Sequence, residues 1–118
     1  MPAEDLAERT FLFGVRVVRM VESLSKSEAA RILGRQLLRS GTSVGANYRA
    51  ARHARSRAEF ISKLGIVEEE CDESIYWIDM LIATAAISRK RAQLLLQEAH
   101  ELLSIIVSSI KTARKNKP

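Results

Sequence analysis

The sequence predicts an all-α protein, an antiparallel up-and-down four-helix bundle. Three observations point there. The 118 residues include only two prolines and five glycines, too little turn chemistry for a fold of many short strands. Alanine, leucine, isoleucine, glutamate and arginine dominate, which favours helix. Apolar residues recur with helical period in four long runs separated by short polar breaks. Hydrophobic residues make up 47% of the chain, enough for one core, and no linker composition interrupts it, so residues 1–118 read as a single domain.

The first helix covers about residues 4–24. Phe11, Val15, Val18 and Val21 fall on one side, and Phe13, Val17, Met20 and Leu24 widen the apolar face. Ser25 stands three residues before Glu28, the spacing at which a hydroxyl and a carboxylate satisfy the free N–H groups of a helix start. The second helix, about 28–54, contains the stretch LLRSGTSVGANYRAARHARSR. Wound at about 100° per residue, this region sorts itself. Arg31, Arg35, Arg39, Arg49, Arg52, His53 and Arg57 gather on one side, and Leu33, Leu37, Ser40, Val44, Asn47, Tyr48 and Ala51 on the other. A flexible loop has no reason to separate them. Gly41 and Gly45 each cost about 1 kcal/mol against alanine, but they lie at the edge of the buried face, where small residues let a neighbouring helix come close.

The third helix, about 57–86, opens at Ser56 with Glu59 three residues on. Phe60, Leu64, Val67, Cys71, Ser74, Ile75, Ile78, Ile82 and Ala85 share one side. A flanking stripe holds Glu59, Lys63, Ile66, Glu70, Glu73 and Trp77, while Glu68, Glu69, Asp72 and Tyr76 face away. Ser88 caps the fourth helix, about 89–114, which is apolar around much of its girth from Leu94 to Ile110. That width suits either a central position or a subunit interface. The basic tail covers 111–118. Short breaks make consecutive helices antiparallel neighbours, so positions of the second and third helices whose numbers sum to about 111 should face each other. Val44 then meets Val67, Ser40 meets Cys71 and Leu33 meets Ile78.

The net charge is +5. Residues 29–58 hold Arg31, Arg35, Arg39, Arg49, Arg52, Arg55 and Arg57 and no acid. Such a surface can neutralise phosphates, with counterion release giving affinity without sequence preference, and Lys111, Arg114, Lys115 and Lys117 would extend it. Equally, it can be a solvated face whose arginines pair with Glu68, Glu69, Glu70, Asp72 and Glu73 of the third helix. The one aromatic among the arginines, Tyr48, faces the core, so base stacking is not indicated.

Ser40 and Asn47, polar residues on a buried face, are expected to fix helix register, with Asn47 bonded to Ser74 or a flanking glutamate. Glu59, Lys63, Glu70, Glu73 and Trp77 are expected to form a salt-bridged seam between helices or subunits, Glu59 and Lys63 pairing four apart. A di-metal site in a bundle needs Glu-x-x-His, and neither His53 nor His100 has Glu three before it. Cys71, the single cysteine, lies on the core stripe and reads as a small hydrophobe. With no phosphate-binding glycine loop and no nucleophile–base pair, no enzyme activity, metal or cofactor is expected. The acidic start is unlike a signal peptide, no run reaches about 20 apolar residues, and a lone cysteine fits a reducing compartment, so a cytoplasmic location away from membranes is expected.

The segments QLLRSGTSVGANYRAA and EFISKLGIVEEECDESIYWI resemble the 23S rRNA-intervening-sequence, or S23, proteins. The matching features are Arg39, Ser40, Ser43, Val44, Gly45, Ala46 and Asn47, then Glu59, Phe60, Lys63 and Leu64, then Glu70, Glu73, Ser74, Tyr76 and Trp77. The resemblance implies a four-helix bundle assembled as a ring-like homopentamer. Some members are encoded in insertions within the large ribosomal RNA gene. A similar bundle is the accessory protein of diversity-generating retroelements, a basic pentamer that binds nucleic acid and the reverse transcriptase, so a reverse transcriptase is a partner by analogy. Most of the matching residues lie in helix seams, which implies shared architecture and assembly more than a shared ligand site. The expectation is a non-enzymatic homopentamer carrying about +25, binding RNA or DNA, with RNA preferred. The alternative is an oligomeric protein-interaction scaffold without nucleic-acid binding.

Overall fold

The structure is a computed structural model and describes residues 3–116. It contains α1 (Ala3–Glu22), α2 (Glu28–Arg52), α3 (Arg57–Ala83) and α4 (Arg89–Lys115), and no strand occurs among the described residues. The molecule is a four-helix bundle measuring 52 × 21 × 20 Å. Packing runs around the ring of helices: α2 touches α1 and α3, α3 touches α4, and α4 returns to α1.

Serine hydroxyls start three of the helices. Ser56 Oγ accepts from the Glu59 N–H at 3.0 Å, and Ser88 Oγ accepts from the Arg91 N–H at 3.2 Å. At α2 the cap is Ser27, not Ser25: its Oγ accepts from the Ala30 N–H at 3.1 Å. The reason lies in the corner. Leu24 is still buried, and the Ser25 N–H reaches across to the Ala86 carbonyl at 3.4 Å, so the chain has not turned until Ser27.

α3 ends at Ala83, three residues before the sequence estimate. The Ala85 N–H bonds to the Ile82 carbonyl and the Ala86 N–H to the Leu81 carbonyl, both at 3.0 Å, with Ala85 at φ 59°. These two bonds form a Schellman stop, which places an alanine where glycine is usual.

Along the α1–α2 seam, chain order on one helix meets reverse order on the other. A Cβ added to Gly45 would lie 3.1 Å from the Thr10 carbonyl oxygen. One on Gly41 would lie 2.6 Å from Val17 Cγ2, and one on Gly34 would lie 2.9 Å from Leu24 Cδ1. The glycines therefore set how closely the two backbones approach.

The core holds Phe13, Val17, Leu37, Val44, Leu64, Val67, Ile78, Leu81, Leu102 and Ile106 at full burial. Two details differ from the sequence reading. On α1 it is Phe13, Val17 and Met20 that enter the core, joined by Leu24 just past the helix end, while Phe11 is 67% exposed. On α4 the buried residues form one stripe, from Ala92 through Leu95, Ala99, Leu102 and Ile106 to Ile110, and Leu94 stays 66% exposed. The helix is peripheral like the other three, because each faces the shared core with one side only.

Candidate nucleic-acid interface and helix seams

The α2–α3 seam carries most of the matching polar residues. Arg39 Nη1 lies 3.4 Å from Glu70 Oε1, and its Nη2 is bonded to Glu73 Oε2. Trp77 Nε1 donates to the same Glu73 oxygen at 3.0 Å, and the Tyr76 ring meets Trp77 edge-on at 4.9 Å between centroids. Hydrogen bonds from Trp77 and then Arg39 hold the Glu73 carboxyl below the usual glutamate range. Arg39 thus belongs to the salt-bridged seam formed by Glu70, Glu73 and Trp77.

Beneath this seam Ser40 and Ser74 are fully buried, with their hydroxyls 3.0 Å apart. Each hydroxyl also reaches a carbonyl of its own helix, Leu37 at 3.3 Å and Glu70 at 2.8 Å. Ser40 was expected opposite Cys71; its hydrogen-bond partner is Ser74, nearly one helical turn further on. The hydroxyl pair joins α2 to α3 inside the core, and no buried side-chain nitrogen or oxygen is left unsatisfied among the described residues.

Asn47 differs from expectation as well. Its Nδ2 donates to the Ser43 carbonyl of its own helix at 2.9 Å, not to Ser74 or a glutamate. Glu59 is occupied at the start of α3, where Oε1 accepts from the Arg55 N–H at 3.4 Å. No ion pair joins Glu59 to Lys63 among the described residues; Lys63 is half-buried beside the core.

The arginine stripe is not continuous. Arg31 and Arg35 border a hollow with Lys26 at the α1–α2 corner. Arg39, further along, is tied to α3. Between Arg39 and Arg49 lies about 15 Å of helix without a cation. Arg49, Arg52 and His53 then line one end of a groove between α1 and α2. Arg57 lines a second groove with Thr112 and Asn116 of the α4 end. The C-terminal half of the stripe and the basic end of α4 therefore share one end of the bundle. There Arg49, Arg52, Arg55, Lys111, Arg114 and Lys115 are exposed and Arg57 is half-buried. Asp5, Glu8 and Glu59 are the exposed acids nearest to them in the sequence of that end. Lys117 lies outside the described residues.

One polar link escaped the sequence reading. Arg9 on α1 forms a two-pronged bond to Glu98 on α4, Nε–Oε2 at 2.8 Å and Nη2–Oε1 at 2.7 Å, and Nη2 also reaches Glu101 at 2.7 Å. Glu98 chiefly, with Glu101, raises the Arg9 pKa above its ordinary value. Helical periodicity holds no signal for it, since the partners are remote in sequence and become neighbours only when α4 closes against α1.

Cys71 is fully buried, and burial first, then neighbouring acids, pushes its thiol pKa up to about 12. That protonation state suits a packing residue and not a nucleophile. Among the described residues no group of three His, Cys, Asp or Glu side chains could hold a metal ion, and no helix is long and apolar enough to cross a membrane.

The family model described as 23S rRNA-intervening sequence protein matches residues 5–108. A solved structure of similar fold is that of a protein with unknown function from the S23 ribosomal protein family of Bacteroides thetaiotaomicron. It is 36% identical, the match covers 94% of this chain and 99% of that one, and the TM-score is 0.87. No curated protein matches the chain. Sequence and fold agree over nearly the whole length, and the chain belongs to the 23S rRNA-intervening sequence protein family.

Proposed function

We propose that the protein is a cytoplasmic, non-enzymatic nucleic-acid-binding bundle, antiparallel up-and-down in topology and assembled as a homopentamer, which grips RNA by its phosphates. The observation that carries this reading is the shared basic end, where Arg49, Arg52, Arg55 and Arg57 meet the α4 end bearing Lys111, Arg114 and Lys115. Guanidinium and ammonium groups gathered at one end of the bundle suit phosphates along a polynucleotide. The reversed order of neighbours along the α1–α2 seam supports the topology. By analogy with retroelement accessory bundles, a reverse transcriptase is a candidate partner in intervening-sequence or retroelement biology.

Titration into a labelled structured RNA and a matched duplex DNA at several salt concentrations tests the proposal. Neutralising about five phosphates gives a log–log salt slope near −4, and reversing Arg55 and Lys115 to Glu should flatten it by about 2 per copy. Absence of binding at low salt, or a slope untouched by the reversal, overturns it. A second reading, an oligomeric protein-interaction scaffold without nucleic-acid binding, is favoured by one observation: the apolar groove between α1 and α2 is uncovered, with Phe11 exposed at its edge.

A further inference from the structure

We infer that the bundle has a second phosphate-binding surface at its opposite end, centred on Arg16, Arg19 and Arg91, so that one chain can bridge two nucleic-acid segments. The inference rests on the nucleic-acid reading for its ligand and uses none of the residues of the shared basic end. Arg16, Arg19 and Arg91 line a hollow of about 340 Å³ between the end of α1 and the start of α4. Met20, Ile87 and Leu95, all buried, line it with them. A cleft with charge of one sign and apolar walls focuses its field on an incoming anion.

A second hollow adjoins the first across the end of α1. Met20 and Ser23 border one, while Val21 and Glu22 border the other, together with Lys26, Arg31 and Arg35. Arg31 and Arg35 are the half of the α2 stripe that the shared basic end leaves out. The bond from the Ser25 N–H to the Ala86 carbonyl holds the α1–α2 and α3–α4 corners together here. The cations lining both hollows are exposed, and none of them forms an ion pair among the described residues. Glu22 is the one carboxylate among the lining residues.

Helix energetics do not explain this charge. Arg89, Lys90 and Arg91 occupy the first turn of α4, which holds no acid, whereas α2 and α3 carry Glu28 and Glu59 there. The positive end of the helix dipole disfavours cations at that position. A bound phosphate offsets both that effect and the repulsion of the arginines for one another. Between the two basic ends the bundle turns acidic: Glu69 and Asp72 on α3 are exposed, and Glu98 and Glu101 on α4 share Arg9. From Arg91 to Lys115 is about 36 Å of helix. The two ends are therefore separate surfaces on a bundle 52 Å long, suited to two segments of nucleic acid and not to one.

Binding stoichiometry tests the inference. The probe is an RNA hairpin with a stem of about six base pairs, about 20 Å long and too short to join the two ends. Titrated at low salt into protein held well above the dissociation constant, the parent should saturate at two hairpins per chain. Arg16→Glu with Arg91→Glu should lower the ratio to one, Arg55→Glu with Lys115→Glu should do the same, and all four together should abolish binding. Arg16→Lys with Arg91→Lys, which keeps the charge, should hold the ratio at two. Unchanged helical circular dichroism verifies folding, since these positions are exposed and Arg91→Glu removes a cation from a helix start. A ratio that the Arg16 and Arg91 reversal leaves unchanged overturns the inference while the proposed function stands. A ratio lowered by that reversal alone keeps the second surface and overturns the shared basic end, and bridging with it. No binding at all overturns both.

Discussion

Gly41→Ala should destabilise the protein even though alanine is the better helix former. Gly41 lies within α2, so alanine by propensity alone would gain about 1 kcal/mol. The new Cβ, however, would stand 2.6 Å from Val17 Cγ2, 2.8 Å from Cγ1 and 3.0 Å from Cβ. All three are closer than carbon atoms tolerate. Val17 is fully buried on α1 and β-branched, with essentially one helical rotamer, so it cannot swing aside. Relief requires α1 and α2 to separate, loosening the seam that also brings Gly45 against Thr10 and Gly34 against Leu24. Overpacking of this kind costs about 2–3 kcal/mol, leaving a net loss of about 1–2 kcal/mol after the propensity gain. At about 4 °C per kcal/mol for a chain of this size, Tm should fall by about 4–8 °C. Gly65 provides the control. It is a helix-interior glycine of α3 around which an added Cβ meets nothing within 4 Å, so Gly65→Ala should stabilise by about 0.5–1 kcal/mol. Thermal unfolding at fixed protein concentration, followed by circular dichroism, compares the two. Adding Val17→Ala to Gly41→Ala should recover part of the loss, so the double variant loses less than the two singles together. A Gly41→Ala protein as stable as Gly65→Ala would refute the close approach of α1 and α2.

Ala85→Gly should raise stability by about 1 kcal/mol, because Ala85 occupies the left-handed region at φ 59°, where a Cβ is penalised and glycine is not; urea denaturation measures it, and a loss would show that the Schellman stop is misjudged. Glu73 has a lowered native pKa, so the stability it contributes is complete above the unfolded glutamate value of about 4.3 and disappears as pH falls through the lower native value. The difference in denaturation midpoint between the parent and Glu73→Gln should shrink across that acidic window, and a difference constant from about pH 7 to about pH 2 would contradict the bonding of Arg39 and Trp77 to Glu73.

The sequence by itself determined the four helices, since a period of 3.6 residues, and a serine before the second, third and fourth runs, are local properties. It also determined that α2 is sorted, with Leu37, Val44 and Tyr48 inward and the arginines outward, because one helix imposes that geometry on its own residues. Tertiary structure decided everything that depends on a second helix. Arg39 reaches Glu70 and Glu73 at the level the sequence register gives, but that Ser40 bonds Ser74 is decided by how the two faces interlock, because residues three apart on α3 are both within reach of one position on α2. Arg39 is tied to Glu70 and Glu73 while Arg49 and Arg52 border a groove, although all three share one side of α2, because only α3 supplies carboxylates at the level of Arg39. Arg9 finds Glu98 only after the bundle closes. On α1, both Phe11 and Phe13 satisfy an apolar pattern; the close approach of α2 at Gly41 and Gly45 turns Phe13 into the core and leaves Phe11 outside. Periodicity names the faces of a helix, and the angle at which its neighbours press on it decides which face is covered.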